Sequence, residues 1–230
     1  MKTRADGRKL LTALTAACAA LVLSGCGAVP PGAAAVVDGT KISKGDVEEL
    51  ADSQCAGAEL AAKTPQAQTV TRKQLNQRSL RLLMDIELSL KYADEEGLEP
   101  RPDSSAAIYS QVQPLVEALP KKHQESTAAT FHRWADATDV LIQVGEQATG
   151  QQATEQNQQD LLNAGFQQRE AWRKKVEIEI DPRYGPSGDG WPGAGDGSVS
   201  EASSTFAKDA NKEQADPKWM ATLPASQKCG

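Results

Sequence analysis

The sequence predicts a mainly α-helical domain closed by a small antiparallel sheet. Apolar residues recur at helical spacing through most of 44–175. The pattern then changes to alternation, with Val176, Ile178 and Ile180 separated by Glu177 and Glu179. Spacings of three and four mark one helix face, and a spacing of two marks one strand face. Near the other end of this region, Asp38-Gly39 sits between apolar, β-branched residues, which is a strong hairpin signal. A lone strand is unstable, so 176–180 needs a partner. The other good strand signals are 34–37 and its hairpin mate 40–42. The two ends of a helical region, 34–181, are therefore expected to meet in one sheet.

The elements follow in order. Ser43 with Asp46 three residues on has the form of a capping box, so a helix starts there. Val47, Leu50, Ala51, Gln54 and Cys55 fall on one face of it. A long helix is expected over about 71–96, with Leu75, Leu82, Leu83, Ile86, Leu90 and Ala93 as its stripe and Leu80, Met84 and Leu88 widening it. A helix apolar over so much of its circumference packs from several sides. Gly97 ends it and Pro100 prevents continuation. Asp103 is expected to cap the next helix, with Ile108, Val112, Leu115, Val116 and Leu119 facing in. Pro114 should kink or interrupt that helix, and Pro120 should stop it. Helical signals resume over 126–149, with Phe131, Trp134, Ala135, Val140, Leu141 and Val144 as core candidates and Gly150 as C-cap. A Gln-rich helix over 152–175 carries Leu161, Leu162, Phe166 and Trp172. After Pro182 the composition turns to glycine and proline. Residues 182–230 read as a loose Gly/Pro-rich extension, too poor in apolar side chains to offset ordering entropy, and expected to be pinned back at Trp219 and Cys229.

The first 25 residues have the layout of a secretory signal. Lys2, Arg4, Arg8 and Lys9 precede an apolar run, Leu10–Leu23, which is shorter than the ~20 residues that span a bilayer. The run closes on Leu23-Ser24-Gly25-Cys26, which resembles the lipobox of bacterial lipoproteins. That resemblance implies cleavage before Cys26, a diacylglyceryl group on its thiol, and a mature chain held at the extracytoplasmic face of the cell membrane. Residues 26–33 would then be a short tether. Two acyl chains suffice for stable anchoring, at about 0.8 kcal/mol per buried methylene.

Composition limits the partners. The chain has 25 basic and 31 acidic residues, a formal net charge of −6, and loss of the basic leader makes the remainder more acidic. Such a protein offers no footprint for nucleic acid or for an anionic lipid surface. Attachment to the bilayer must come from the lipid on Cys26. Cys18 leaves with the signal, so acylation of Cys26 leaves only Cys55 and Cys229 of the four cysteines. In an oxidising compartment such a remaining pair is expected to join. The bridge would be worth up to about 5 kcal/mol on a loop-entropy model.

Chemistry-bearing patterns are few. His123 and His132 lie too far apart in sequence to ligate one metal from one helical face, where a spacing of four is expected. No nucleophile elbow, phosphate loop or dinucleotide fingerprint occurs. Asp94-Glu95-Glu96 beside Gly97 reads as solvated surface, and Glu177 and Glu179 as the outer face of a strand. No catalytic residue, metal site or cofactor is expected. Trp134 and Trp172 read as core residues and as candidates to line a peptide groove. Trp191 and Trp219, in polar Gly/Pro-rich context, read as anchors of the tail or as contacts for a partner.

Residues 34–55, opening Ala34-Ala35-Val36-Val37-Asp38-Gly39-Thr40-Lys41-Ile42-Ser43, resemble the start of the SurA N-terminal domain. That start is a strand, an Asn/Asp-Gly turn, an apolar-[Ser/Thr]-x-x-[Asp/Glu]-apolar motif and a helix. Residues 34–181 are covered by the likeness. The Asp181-Pro182-Arg183-Tyr184-Gly185 run and the Cys229-Gly230 ending look like those of actinobacterial lipoprotein members. The resemblance implies a chaperone-like domain whose helices offer apolar grooves to exported or unfolded polypeptide. It carries no prolyl isomerase activity here, because the residues after 181 are too few and too Gly/Pro-rich for the parvulin domain that follows in the foldases. The alternative expectation is a scaffold or accessory lipoprotein that binds one specific cell-envelope partner.

Overall fold

The computed structural model describes residues 29–62, 69–185, 190–192, 203–210, 212 and 216–230. Cys26, the signal segment and tether residues 27 and 28 lie outside these residues.

A hairpin opens the described chain. Strand β1 (Ala33–Val37) starts at the last expected tether residue and pairs antiparallel with β2 (Thr40–Ser43). Asp38 and Gly39 both have positive φ, 46° and 76°, as a two-residue turn of the primed type requires. Helix α1 (Lys44–Ala61) begins on a full capping box: the Ser43 hydroxyl accepts the Asp46 N–H at 3.0 Å, and the Asp46 carboxylate accepts the Ser43 N–H at 3.3 Å. A two-residue strand, β3 (Val70–Thr71), leads into α2 (Arg72–Glu95), which is capped by Thr71 and Gln74 in the same manner. Gly97, at φ 68°, ends α2, and the Leu98 N–H returns to the Ala93 carbonyl.

Helices α3 (Pro102–Glu117), α4 (Lys121–Thr149) and α5 (Gln158–Arg173) complete the helical body. Strand β4 (Ile178–Ile180) pairs antiparallel with β1, Ala35 opposite Ile180 and Val37 opposite Ile178. The sheet order is β2-β1-β4, so the return strand closes beside the first strand as the sequence predicts. The main core forms on this sheet. Ala34, Ala35, Val37, Ile42 and Val47 pack with Leu80, Met84 and Leu88 of α2. A second cluster, Ile108, Ala135, Ile142 and Leu161, joins α3, α4 and α5. The seam between α4 and α5 is closest at two glycines. A Cβ on Gly145 would lie 2.0 Å from the Leu161 carbonyl oxygen, and one on Gly165 the same distance from that of Leu141.

Several expectations are corrected. Asp103 does not cap α3: Arg101 is the N-cap residue, and Pro102 takes the first turn, where its missing N–H costs nothing. Pro114 sits inside α3, and the helix runs past it to Glu117. Pro120 precedes α4 directly, so that helix starts at Lys121, before the expected 126. Helix α5 starts later than 152, because Thr154 and Asn157 hydrogen-bond each other in a local turn. On α2, Leu75, Ile86 and Ala93 of the expected stripe are buried, as are Leu80, Met84 and Leu88, while Leu82, Leu83 and Leu90 are only half-buried. The sheet lies against Leu80, Met84 and Leu88, which is why that row is covered.

The extension is not loose where it is described. A 3₁₀ turn (Pro182–Tyr184) and two short helices, α6 (Thr205–Ala210) and α7 (Pro217–Thr222), lead to β5 (Lys228–Cys229). Strand β5 pairs antiparallel with β3 in a second small sheet, Cys229 opposite Val70. Tyr184, Trp191, Leu223 and Cys229 are each buried, so a few spaced anchors hold a segment whose average composition is polar.

Candidate functional site

A groove opens between α1, α3 and the first half of α4. Its cavity is about 380 Å³, and its walls are mainly aliphatic and aromatic: Leu50, Leu60, Val112, Leu115, Leu119 and Phe131, with Ser53, Gln54 and Thr127 among them. Leu60 is 40% exposed and Leu115 is 70% exposed. The sequence places Leu115 inward, because it falls on the apolar stripe of α3. It faces water because α3 turns its Ile108–Val116 side to the bundle and leaves the other edge of the stripe uncovered.

Local chemistry sets the groove's shape. Gly57 of α1 lines the groove, and a Cβ there would meet only the Leu119 Cδ2, at an ordinary contact distance of 3.7 Å. The tight turn from α3 to α4 is held by the Gln124 amide, which donates to the Glu117 and Leu119 carbonyls at 2.8 Å each. These are helix-end carbonyls that would otherwise lack partners. Tyr109 of α3 stacks on His132 of α4 at 3.7 Å between ring centroids.

The predicted residues distribute as follows. Cys55 on α1 and Cys229 on β5 are joined by a disulfide, with Cα atoms 5.2 Å apart, and they pack with Ala51 and Leu75 behind the groove wall. Trp134 is half-buried on the second core cluster and meets Phe131 edge-on at 5.9 Å, so it supports a groove residue without lining the groove. Trp172 lies elsewhere; its indole N–H donates to Glu95 at 2.7 Å and its ring packs 5.3 Å from Tyr92. Trp191 is 5% exposed in the main core, with the guanidinium groups of Arg173, Arg81 and Arg169 at 4.8, 5.0 and 5.8 Å from its ring. It anchors the tail and offers no surface to a partner. Trp219 is half-buried beside Phe206 at 5.4 Å.

Shifted carboxyls lie away from the groove, and each faces an arginine. Burial works against the charge of Asp139, yet the Arg101 and Ser104 hydrogen bonds outweigh it and hold the carboxyl below its ordinary range. Glu170 is also lowered: burial opposes its charge, and bonds from Arg173 and Arg169 prevail. Hydrogen bonds from Arg183, followed by Lys44, lower Asp181. Burial pushes Asp85 up against the pull of Arg169. Arg169 itself is 3% exposed and committed to Asp85, Ser89 and Glu170. These are structural pairs that join elements. Among the described residues no cluster of His, Cys, Asp and Glu is arranged to hold a metal ion, and no helix is long and apolar enough to cross a membrane.

Comparison with protein-family models, curated proteins and solved structures finds no match for this chain.

Proposed function

We propose that the protein is an extracytoplasmic lipoprotein, anchored to the cell membrane by an acylated Cys26, whose SurA N-terminal-like domain reversibly binds exported or non-native polypeptides. The observation that carries this reading is the apolar groove between α1, α3 and α4, with Leu60 and Leu115 open to water. Clustered exposed apolar side chains do nothing for the stability of a lone domain and mark interaction surfaces. The SurA-like opening motif supports the reading, because its hairpin and capping box launch α1, which forms one wall of the groove.

The test is aggregation of a chemically unfolded client in the presence of the full chain held in phosphatidylcholine nanodiscs. Suppression is expected, and it should fall sharply in a Leu60→Ser, Leu115→Ser variant that keeps the wild-type circular dichroism spectrum. A folded wild-type chain without effect at stoichiometric excess overturns the reading, as does a double variant that suppresses equally well. The anchor has its own test: Cys26→Ala should move the protein out of the membrane fraction and abolish palmitate labelling.

A further inference from the structure

The apolar groove is half of a longer cleft. Leu50, Ser53 and Thr127 line both the groove and a second hollow of about 410 Å³. The second hollow is mixed: its walls carry Asp46, Glu49 and Glu87 with Lys41 and Arg133, and Ile42, Leu83 and Ile86 line it too. Arg133 is bound to Glu87 at 2.9 Å. The Lys41 ammonium donates to the Pro31 carbonyl at 3.0 Å. Asp46 accepts one backbone N–H, from Ser43, and a carboxylate has capacity for more. Glu49 is exposed, and its carboxylate has no partner among the described residues. On the shared floor, Thr127 is 4% exposed and its buried hydroxyl has no hydrogen-bond partner among the described residues. A buried hydroxyl without a partner is unfavourable unless something supplies one.

The length of the cleft follows from α1. Glu49 at one end and Leu60 at the other are about 16 Å apart along a helix that rises ~1.5 Å per residue. An extended chain covers that span in about five residues. We infer that the cleft binds an extended segment of about five residues with its ends differing in character. Aliphatic side chains fill the Gly57–Leu115–Phe131 end, a lysine or arginine lies against Asp46 and Glu49, and Thr127 hydrogen-bonds the segment's backbone between them. The inference rests on the reading that the cleft takes polypeptide, and it names the kind. The second hollow has more carboxylates than cations, on a chain whose formal net charge is −6. A cationic segment is attracted and an anionic one repelled.

Fluorescence anisotropy tests this with the full chain in phosphatidylcholine nanodiscs and empty discs as blank. Four labelled hexapeptides are compared: aliphatic with a terminal lysine, aliphatic with a terminal glutamate, aliphatic and neutral, and polar with lysine. The aliphatic-lysine peptide should bind about two- to fivefold tighter than the neutral one, as exposed ion pairs do, and salt should erode the difference. Glu49→Lys, a change on an exposed helix face, should reverse the order of the lysine and glutamate peptides. Thr127→Val, nearly equal in volume, should weaken every aliphatic peptide about fivefold. Equal binding of the three aliphatic peptides, or an unchanged order in Glu49→Lys, overturns the charge selection while polypeptide binding stands. Unchanged affinity in Thr127→Val overturns the role of the hydroxyl. No binding of any peptide overturns both the inference and the reading beneath it.

Discussion

Replacing Gly165 by alanine should destabilise the protein, although alanine is the better helix former. The built Cβ falls 2.0 Å from the Leu141 carbonyl oxygen, against an ordinary contact of 3.4 Å or more. The obstacle is backbone, so no side chain can turn aside, and α5 must withdraw from α4 by more than an ångström at that point. Overpacking of this kind costs about 3 kcal/mol, and the gain in helix propensity returns about 1 kcal/mol. A net loss of about 2 kcal/mol is expected from urea unfolding followed by far-UV circular dichroism, with the slope unchanged. Gly145→Ala meets the Leu161 carbonyl in the same way and should behave alike. The double variant should lose less than the sum, because one separation of the helices relieves both clashes. Gly57→Ala is the control. Its nearest neighbour is the Leu119 Cδ2 at 3.7 Å, so the same change should be neutral or stabilising by up to about 1 kcal/mol. Wild-type or greater stability in Gly165→Ala would refute the close seam.

Removing the Cys55–Cys229 bridge with paired serines should lower stability by up to about 5 kcal/mol for a sequence separation of 174. Limited proteolysis should then cut the tail first, and non-reducing mass mapping of the native chain should recover the bridged peptide. Trp191→Ala removes a core side chain and the surface that the three arginines cover, and should cost about 4 kcal/mol in the same urea assay. Asp139 is fully buried and accepts from the Arg101 backbone and side chain and from Gln143. Asp139→Ala should cost about 3 kcal/mol, at the low end for a buried pair because Arg101 keeps water and Glu146. Since its folded-state pKa lies below the ordinary 3.8, its contribution is complete above that value and is lost as pH falls through the depressed one. Acid unfolding of the wild type should therefore show a stability loss below pH 3.8 that Asp139→Asn lacks.

Local rules made much of the fold legible. Asp38-Gly39 specifies its turn through two left-handed positions, and Ser43 with Asp46 specifies a helix start through reciprocal hydrogen bonds; neither needs distant residues. The return strand was readable because alternation is visible in a few residues. What sequence concealed was decided by neighbours. The apolar circumference of α2 does not say which row meets the sheet, and Leu82 and Leu90 compete equally with Leu80 and Met84. Strands β3 and β5 have two residues each, too short to show any period. Average composition hid the tail's anchors, because Tyr184, Trp191 and Leu223 act singly. The place of the groove was hidden for a related reason: an apolar stripe on α3 reads as core, and only the packing of its Ile108–Val116 side leaves Leu115 uncovered. The exposed Glu49 and the buried hydroxyl of Thr127 gave no pattern at all, since each matters only through its place beside the groove.

The sheet order β2-β1-β4 has a consequence for synthesis. The central strand is made early, and its second neighbour, Ile178–Ile180, arrives only after the whole helical body. At about 5–20 residues per second, the outer edge of β1 waits roughly 7–30 s for its partner. An unpaired edge invites pairing with other chains during that interval. The waiting edge is short: only Ala35, Val36 and Val37 pair with β4, and a very short edge is a weak template for other chains. That brevity keeps the nascent edge a poor partner until its own return strand appears.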